Sequence, residues 1–357
     1  MSQHSRLSGV RILITGHTGF TGSWACLRFA ALGAHVHGYA LAPDTKPALF
    51  DLADVWPTLK SHTLGDLADF DLLLESVRRI EPDLILHLAA QPLVLAGYAA
   101  PVRTFMTNAQ GTAHVLEAAR QIKSVLGVVA ITTDKVYAPD EAALPYQETA
   151  RLGGADPYSA SKAAAEMIID GYRHSMAAWN RSLKIETARG GNIIGGGDFS
   201  ADRIVPDFVR AIERQTPLIL RRPAACRPWQ HVLDLVEGYR LLLERCLETD
   251  RTGLGEAWNF GPHPDDAVTV ATLISRLQER WKPVSLDLHQ GPPETKTLAI
   301  NAEKSRKILG WRPRLNFDAM IGATVDWYRM ALQAPDDLPA LTRDQIAHYE
   351  TLAAKPI

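Results

Sequence analysis

The chain has 357 residues, 46% apolar and 22% charged, enough for a sizeable core in one large or two fused domains. Its 38 basic and 40 acidic side chains leave a net charge of -2, a balance that offers no field for nucleic acid or an anionic membrane. Three widely spaced cysteines (Cys26, Cys226, Cys246) argue against a disulfide framework, MSQHSRLSG has no apolar core of signal-peptide length, and no apolar run reaches the roughly 18 residues of a membrane span, so the expected place is the cytoplasm.

Short, almost wholly apolar runs at 10–15, 34–38, 84–88, 128–132 and 185–188 predict strands covered on both faces. Helical stretches at 23–32, 70–79, 108–123 and 158–176 lie between them. Strand and helix in alternation predict an α/β fold, a doubly wound parallel (Rossmann) sheet with right-handed crossovers. Past residue 190 the prolines at 206, 217, 223 and 228 break the chain into short pieces, and Gly195-Gly196-Gly197 reads as flexible punctuation. The expected division is a dinucleotide-binding domain over 1–190, a smaller mixed substrate lobe over 191–340 interleaved with it, and a tail over 341–357. Ligands of such sheets bind at the carboxyl edge of the strands.

Two motifs about 140 residues apart support each other. Gly16, Thr18, Gly19, Phe20, Thr21 and Gly22 follow the first strand and open the first helix. Glycines there let backbone approach a pyrophosphate, and the helix aims free N–H groups at the anion. The spacing is G-x-x-G-x-x-G, so an ordinary strand-to-helix turn is the alternative. After the second strand, His37-Gly38-Tyr39-Ala40-Leu41-Ala42 has neither an acid for a ribose hydroxyl nor an arginine for a 2′-phosphate. This segment leaves NAD and NADP both open, with the missing basic residue favouring NAD. Asp66 in Leu64-Gly65-Asp66-Leu67 reads either as an adenine contact or as a surface aspartate.

The second motif is Tyr158-Ser159-Ala160-Ser161-Lys162, whose tyrosine and lysine share a helix face. A phenol titrates near 10 when unperturbed, and a neighbouring ammonium and a cationic nicotinamide are both expected to lower that value. Thr132-Thr133-Asp134-Lys135 stands at the carboxyl end of a predicted strand, where such a sheet displays its chemistry. His35 and His37 share a strand face without a third ligand, so no metal site is expected.

These motifs resemble the extended short-chain dehydrogenase/reductase superfamily and, within it, the CDP-glucose 4,6-dehydratases. The strings that carry the resemblance include GHTGFTGSW, HLAAQPLV, TTDKVY, LGGADPYSASKAAAE, GNIIGGGDF, RPWQHV and LGWRP, spread over residues 16 to 312. The resemblance implies a nucleotide-diphosphate sugar substrate and a tightly held nicotinamide cofactor. In the implied reaction Tyr158 takes the hexose 4-hydroxyl proton while hydride leaves carbon 4, water is lost across carbons 5 and 6, and hydride returns to carbon 6. It further implies that Asp134 is the acid for the departing hydroxyl, that Thr133 aligns the 4-hydroxyl, and that Lys135 stands where related enzymes place a glutamate base. Whether Lys135 itself takes the carbon-5 proton is left open. Leu67, Leu88, Ala89, Ala90, Asn108 and Thr132 join Tyr158, Lys162 and the glycine loop as implied cofactor contacts. Gln91, Asn192, Arg203, Arg227, His231 and Asn259 are the implied substrate contacts, with a structural histidine as the alternative for His231. The chain departs from the dehydratase pattern at Leu95-Ala96-Gly97-Tyr98, over 138–149 and at Pro293-Glu294-Thr295-Lys296.

The alternatives of the same fold are an epimerase, a decarboxylase or a GDP-mannose 4,6-dehydratase; an epimerase needs only the Tyr, the Lys and the cofactor, so Asp134 beside Lys135 favours dehydration. A non-catalytic cofactor sensor would be expected to lack the Tyr-x-x-x-Lys pair. The runs Val115, Leu116, Ala119 and Ala164, Met167, Ile168, Tyr172 carry more apolar surface than one core-facing stripe requires. They predict a homodimer closed by a four-helix interface.

Overall fold

The computed structural model describes residues 5–140, 144–248, 255–262, 268–289 and 299–352; Pro293–Lys296 lies outside them. Seven parallel strands form the central sheet: β1 (Arg11–Thr15), β2 (His35–Ala40), β3 (Ser61–Leu64), β4 (Leu84–His87), β5 (Gly127–Ile131), β6 (Lys184–Arg189) and β7 (Ala257–Asn259). Their order is β7-β6-β5-β4-β1-β2-β3, so the winding reverses between β1 and β4. The five predicted strands are present, each shifted by no more than a residue or two. The edge strand β3 escapes the apolar criterion because Ser61-His62-Thr63-Leu64 is only half covered. β7 has only three residues, and it returns from the C-terminal half to extend the sheet beside β6.

Side chains of the sheet alternate faces with period two. Ile12, Ile14, Leu84 and Leu86 pack on one side with Trp24, Phe29, Leu242, Trp258 and Trp327. Leu13, Ile85, Val128 and Ala130 pack on the other with Leu73, Val77, Leu116 and Ile169. The first cluster runs through α1 (Phe20–Ala31) into residues well past 190, so the two halves of the chain share one core.

Helix starts follow their capping chemistry. α2 (Phe70–Ile80) begins where Asp69 accepts from the Leu72 N–H at 3.0 Å. The segment 94–121 is not one helix from 108. It comprises α3 (Val94–Ala99), α4 (Pro101–Phe105), a π-helical turn over Met106–Gln110 and α5 (Gly111–Gln121). α6 (Pro157–Ser175) has proline in its first turn and Asp156 as its cap, accepting from the Ser159 N–H at 3.0 Å. Val115, Leu116 and Ala119 on α5 are buried inside the subunit, against the expectation that they face a partner.

The C-terminal half adds α7 (Ile204–Arg214), α8 (Val232–Cys246), α9 (Val270–Arg280), α10 (Phe317–Gln333) and α11 (Leu338–Thr351), with three two-stranded pairs among the described residues, and α8 packs on the central sheet. Residues 341–351 belong to α11, with Ile346 and Tyr349 buried. Arg28 of α1 is buried between Glu237 of α8 and Glu350 of α11, its Nε donating to Glu350 at 2.8 Å. Arg314 donates to Glu237 at 2.9 Å, and the Tyr349 hydroxyl donates to Asp234 at 2.8 Å. No helix among the described residues is long and apolar enough to cross a membrane.

The Gly195-Gly196-Gly197 run is not flexible punctuation. All three are buried, and a Cβ on Gly196 would stand 2.0 Å from the Trp327 ring. The Trp24 indole N–H donates to the Gly196 carbonyl at 3.0 Å, so the run lets α1 and α10 close on the loop after β6. Gly196→Ala is expected to cost about 1–3 kcal/mol through overpacking, measured by denaturant unfolding. An unchanged midpoint would show that the Trp327 ring gives way freely.

Candidate active site

The glycine loop joins β1 to α1 at the switch point. Gly16 has φ +75°, and a Cβ there would meet Ala89 N at 2.7 Å; one on Gly22 would meet the Gly16 carbonyl at 2.1 Å. Gly19 is the N-cap of α1 and offers no side chain to its first N–H groups. A turn with no room for a Cβ at Gly16 or Gly22, next to uncapped amides, fits a dinucleotide pyrophosphate. Thr18 ties the loop to β2 by donating to the Leu41 carbonyl at 2.8 Å. Phe20 and Thr21, half-buried, form the first helical turn, and Leu88, Ala89 and Ala90 pass beside it, the Ala89 N–H donating to Thr15 Oγ1 at 3.3 Å. Asp66 is exposed and accepts from the Ala68 N–H at 3.0 Å, while Leu67 is buried and its carbonyl bonds the His114 ring at 2.6 Å.

The chemistry-bearing groups converge at the carboxyl ends of β5 and β6. Thr133 Oγ1 donates to Asp134 Oδ1 at 3.0 Å and also makes side-chain contact with the Tyr158 phenol. Burial pushes the Tyr158 phenol up to about 12; Thr133 and Arg203 pull against it, and Asp134 and Asp156 add to it. Desolvation outweighs the lowering expected of the Lys162 ammonium, which donates to the Ile131 carbonyl at 2.9 Å. Burial likewise brings Lys162 down to about 8, with Glu166 opposing.

Asp134 is buried, and its carboxyl titrates above the ordinary range because desolvation outweighs Lys135, Thr133 and Arg227. Its Oδ2 has no hydrogen-bond partner among the described residues. Lys135 is half-buried beside it. Arg227 is buried on a short strand, donating to the Cys226 carbonyl at 2.9 Å, and Arg203 holds Asp198 at 3.2 Å. Asn192, at φ +50°, follows the glycine pair that passes under Asp134.

Several expected contacts serve the scaffold. Asn259 is fully buried: its Nδ2 donates to the Tyr146 and Asn301 carbonyls at 2.9 and 3.1 Å, and its Oδ1 accepts from the Tyr137 hydroxyl at 2.6 Å. All the bonds its amide hydrogens make are thus internal. Gln91 donates to Thr104 at 2.9 Å and accepts from the Leu93 N–H at 2.6 Å. Asn108, in the π turn, bonds the Gln91 carbonyl at 3.0 Å and Ser161 at 2.8 Å, so it braces α6. The Thr132 hydroxyl donates to Glu166 at 2.6 Å. His231 is fully buried and caps α8, its Nδ1 accepting from the Leu233 N–H at 3.2 Å, and burial takes its pKa to about 3. That is the structural alternative. Among the described residues no three His, Cys, Asp or Glu side chains gather as a metal requires, and His37 bonds Ser61 at 2.8 Å.

Residues 13–324 match the family described as GDP-mannose 4,6 dehydratase. The chain belongs to this family. It is 38% identical to the CDP-glucose 4,6-dehydratase of Salmonella typhimurium over 96% of each chain. It is 28% identical to dTDP-glucose 4,6-dehydratase 1 of Escherichia coli, covering 89% of this chain and 92% of that one. Among solved structures, DesIV, the dTDP-glucose 4,6-dehydratase from Streptomyces venezuelae crystallised with NAD, superimposes at a TM-score of 0.76 with 25% identity, over 91% of this chain and 99% of that one.

Family likeness did not single out Gly191, Glu166 or Arg189. The signal for Glu166 is its spacing, four residues past Lys162. Gly191 is legible only in three dimensions: a Cβ there would stand 2.1 Å from Asp134 Oδ2. Gly97, in the divergent 95–98 segment, lies against the start of α6, where a Cβ would meet Tyr158 N at 3.2 Å. Gly191→Ala is expected to leave the fold intact by circular dichroism and to lower turnover of a nucleotide sugar about a hundredfold, because the carboxyl must move by an ångström or more. Wild-type turnover would mean that the position of Asp134 is not limiting.

Proposed function

We propose that this chain is an NAD-dependent nucleotide-sugar 4,6-dehydratase, with CDP-glucose as its substrate and CDP-4-keto-6-deoxyglucose as its product. The observation that carries the reading is the buried Tyr158–Thr133–Asp134 cluster, which sets a phenol and a carboxyl of raised pKa together at the sheet's carboxyl edge. What a nicotinamide dinucleotide supplies when bound is uptake and return of a hydride. The glycine loop, the first turn of α1 and the Leu88–Ala90 backbone are the parts of this chain that hold it.

The residues divide the remaining work. Tyr158 takes the 4-hydroxyl proton; Arg203 favours its phenolate form, and Thr133 orients the shared proton. Burial raises the Asp134 carboxyl above the ordinary range, the direction an acid for the departing 6-hydroxyl requires. Lys135 is the nearest cation to that carboxyl and the candidate base for carbon 5. Arg227 and Asn192 face the diphosphate, for which a guanidinium fork is suited. The 38% identity to a CDP-glucose 4,6-dehydratase supports the cytidylyl substrate.

The test is a panel of CDP-, dTDP- and UDP-glucose and GDP-mannose, read by mass spectrometry for loss of one water. Turnover confined to a 4-epimer without loss of water would overturn the reading. With the accepted substrate, Asp134→Asn is expected to let reduced nicotinamide build up while water loss slows about a hundredfold or more. An equal fall in both half-reactions would remove Asp134 as a dedicated acid.

The reading includes a homodimer. Val102 is 71% exposed and Met167 63%, and Tyr98, Phe105 and Met106 are also exposed, on the adjoining α3, α4, π turn and α6. This apolar face, rather than the buried run on α5, supports a four-helix interface. Light scattering at micromolar concentration is expected to give twice the chain mass of 39.2 kDa. A fully active monomer would exclude the dimer as a requirement.

A further inference from the structure

Tyr158, Lys162 and Glu166 follow one another at intervals of four on α6, so they form one stripe along the helix. The first two belong to the site; Glu166 lies one turn deeper and is buried. Its carboxylate is held from three sides. Arg189 of β6 grips it with two parallel bonds, Nε to Oε1 at 2.8 Å and Nη2 to Oε2 at 2.9 Å. Thr132, at the end of β5, donates to Oε1 at 2.6 Å, and Thr187 donates to Oε2 at 3.2 Å. Arg189 is fixed in turn by the Tyr137 hydroxyl at 3.1 Å and the Glu148 carbonyl at 2.9 Å. Four bonds fill the acceptor sites of this buried carboxylate and fix it one helical turn from Lys162 on the same stripe.

We propose that Glu166 is a positioning residue for the dehydration: fixed by Arg189, Thr132 and Thr187, its carboxylate keeps the Lys162 side chain an ammonium, pointed at the Ile131 carbonyl and the site. The inference rests on the reading that Lys162 acts beside Tyr158. The physical need is plain. Lys162 is buried, and desolvation alone drives a lysine toward its neutral form. An opposite charge a helical turn away restores the cation. The other ionisable groups around the pair do not supply it. His87 of β4 is held neutral by burial, with a pKa near 3, and its interaction with Lys162 is repulsive. Burial pushes the Tyr137 and Tyr158 phenols up, the second to about 12, so neither supplies a standing negative charge in place of Glu166. Arg173, farther along α6, and Arg189 both act on Glu166, holding its carboxyl low against burial.

The experiment uses the full-length holoenzyme with ε-carbon-labelled lysine, the Lys162 signal being assigned by Lys162→Met. Glu166→Gln leaves Arg189 unpaired and is prone to misfold, so the main variant is Glu166→Gln with Arg189→Met, which removes both buried charges. In this double variant the Lys162 titration midpoint is expected to fall by about one unit or more. The alkaline limb of the turnover profile should fall with it, while activity below that limb is retained. Glu166→Asp, which keeps the charge, should restore most of the midpoint. An unchanged midpoint in a folded double variant of normal cofactor content would overturn the proposal and leave Glu166 a packing residue. Full activity of Lys162→Met would sink the underlying reading instead, a distinguishable result. If neither double nor single variant folds, an unchanged Lys162 midpoint in Thr132→Val with Thr187→Val, which frees the carboxylate from two of its four bonds, equally overturns it.

Discussion

At the switch point of the sheet the backbone of Gly16 lies against that of Ala89, and Gly22 against the Gly16 carbonyl, closer than any side chain permits. Everything that makes the site follows from this approach. It closes the β1–α1 turn tightly enough for the first amides of α1 to face outward. It brings the loop after β4 into register with the loop after β1, where Thr15 bonds both His87 and the Ala89 N–H. From there Asn108 and Ser161 continue the bracing into α6, which carries Tyr158 and Lys162. The π turn that sets Asn108 interrupts an otherwise helical segment, a distortion commonly found at functional sites.

The second determinant is burial of charge. Strand β6 reads Lys184-Ile-Glu-Thr-Ala-Arg, yet every residue in it is buried. Glu186 is matched by the Trp258 indole at 2.7 Å and the Glu256 N–H at 2.8 Å, and Arg189 by Glu166. Replacing such pairs by apolar groups is often neutral for stability, whereas removing one partner is costly. Their value here is geometric, since each ties the sheet to an element that bears on the site. The Arg28–Glu237–Glu350 cluster does the same at longer range, fastening α11 to α1 and α8.

The sheet and its flanking helices were legible because covered parallel strands are apolar throughout, and 10–15, 84–88 and 128–132 satisfy that rule. β3 and β7 were not, the first because an edge strand is half polar, the second because three residues carry no periodicity. The stripe Tyr158–Lys162 and the acid Asp134 were legible as residue types, but their electrostatics were not. The expected lowering of the phenol assumed a neighbouring ammonium and omitted desolvation, which dominates. The glycine run 195–197 was misread for a related reason. Sequence shows a freedom of backbone, and only the fold shows whether that freedom is used for motion or for the approach of Trp24 and Trp327.

The separation of scaffold from site follows the hydrogen-bond inventory of each polar side chain. A buried polar group must find partners, so a buried Asn, Gln or His in a ligand-like motif is ambiguous until its bonds are counted. Asn259 uses both its amide hydrogens and its oxygen within the protein, and Gln91 has both ends of its amide occupied. Asp134 differs, with one carboxyl oxygen bonded and the other buried without a partner among the described residues, an arrangement that costs stability and persists where function requires it. His231 also leaves one nitrogen unpartnered, but its other nitrogen accepts from the Leu233 N–H, which assigns the proton to the unpartnered one. That nitrogen faces Gly195, where a Cβ would lie 3.5 Å from it, and the side chain is fully buried. The same unmet valence thus stands in two settings: at Asp134 it lies among the polar and cationic groups Thr133, Lys135 and Arg227, and at His231 it belongs to a buried helix cap.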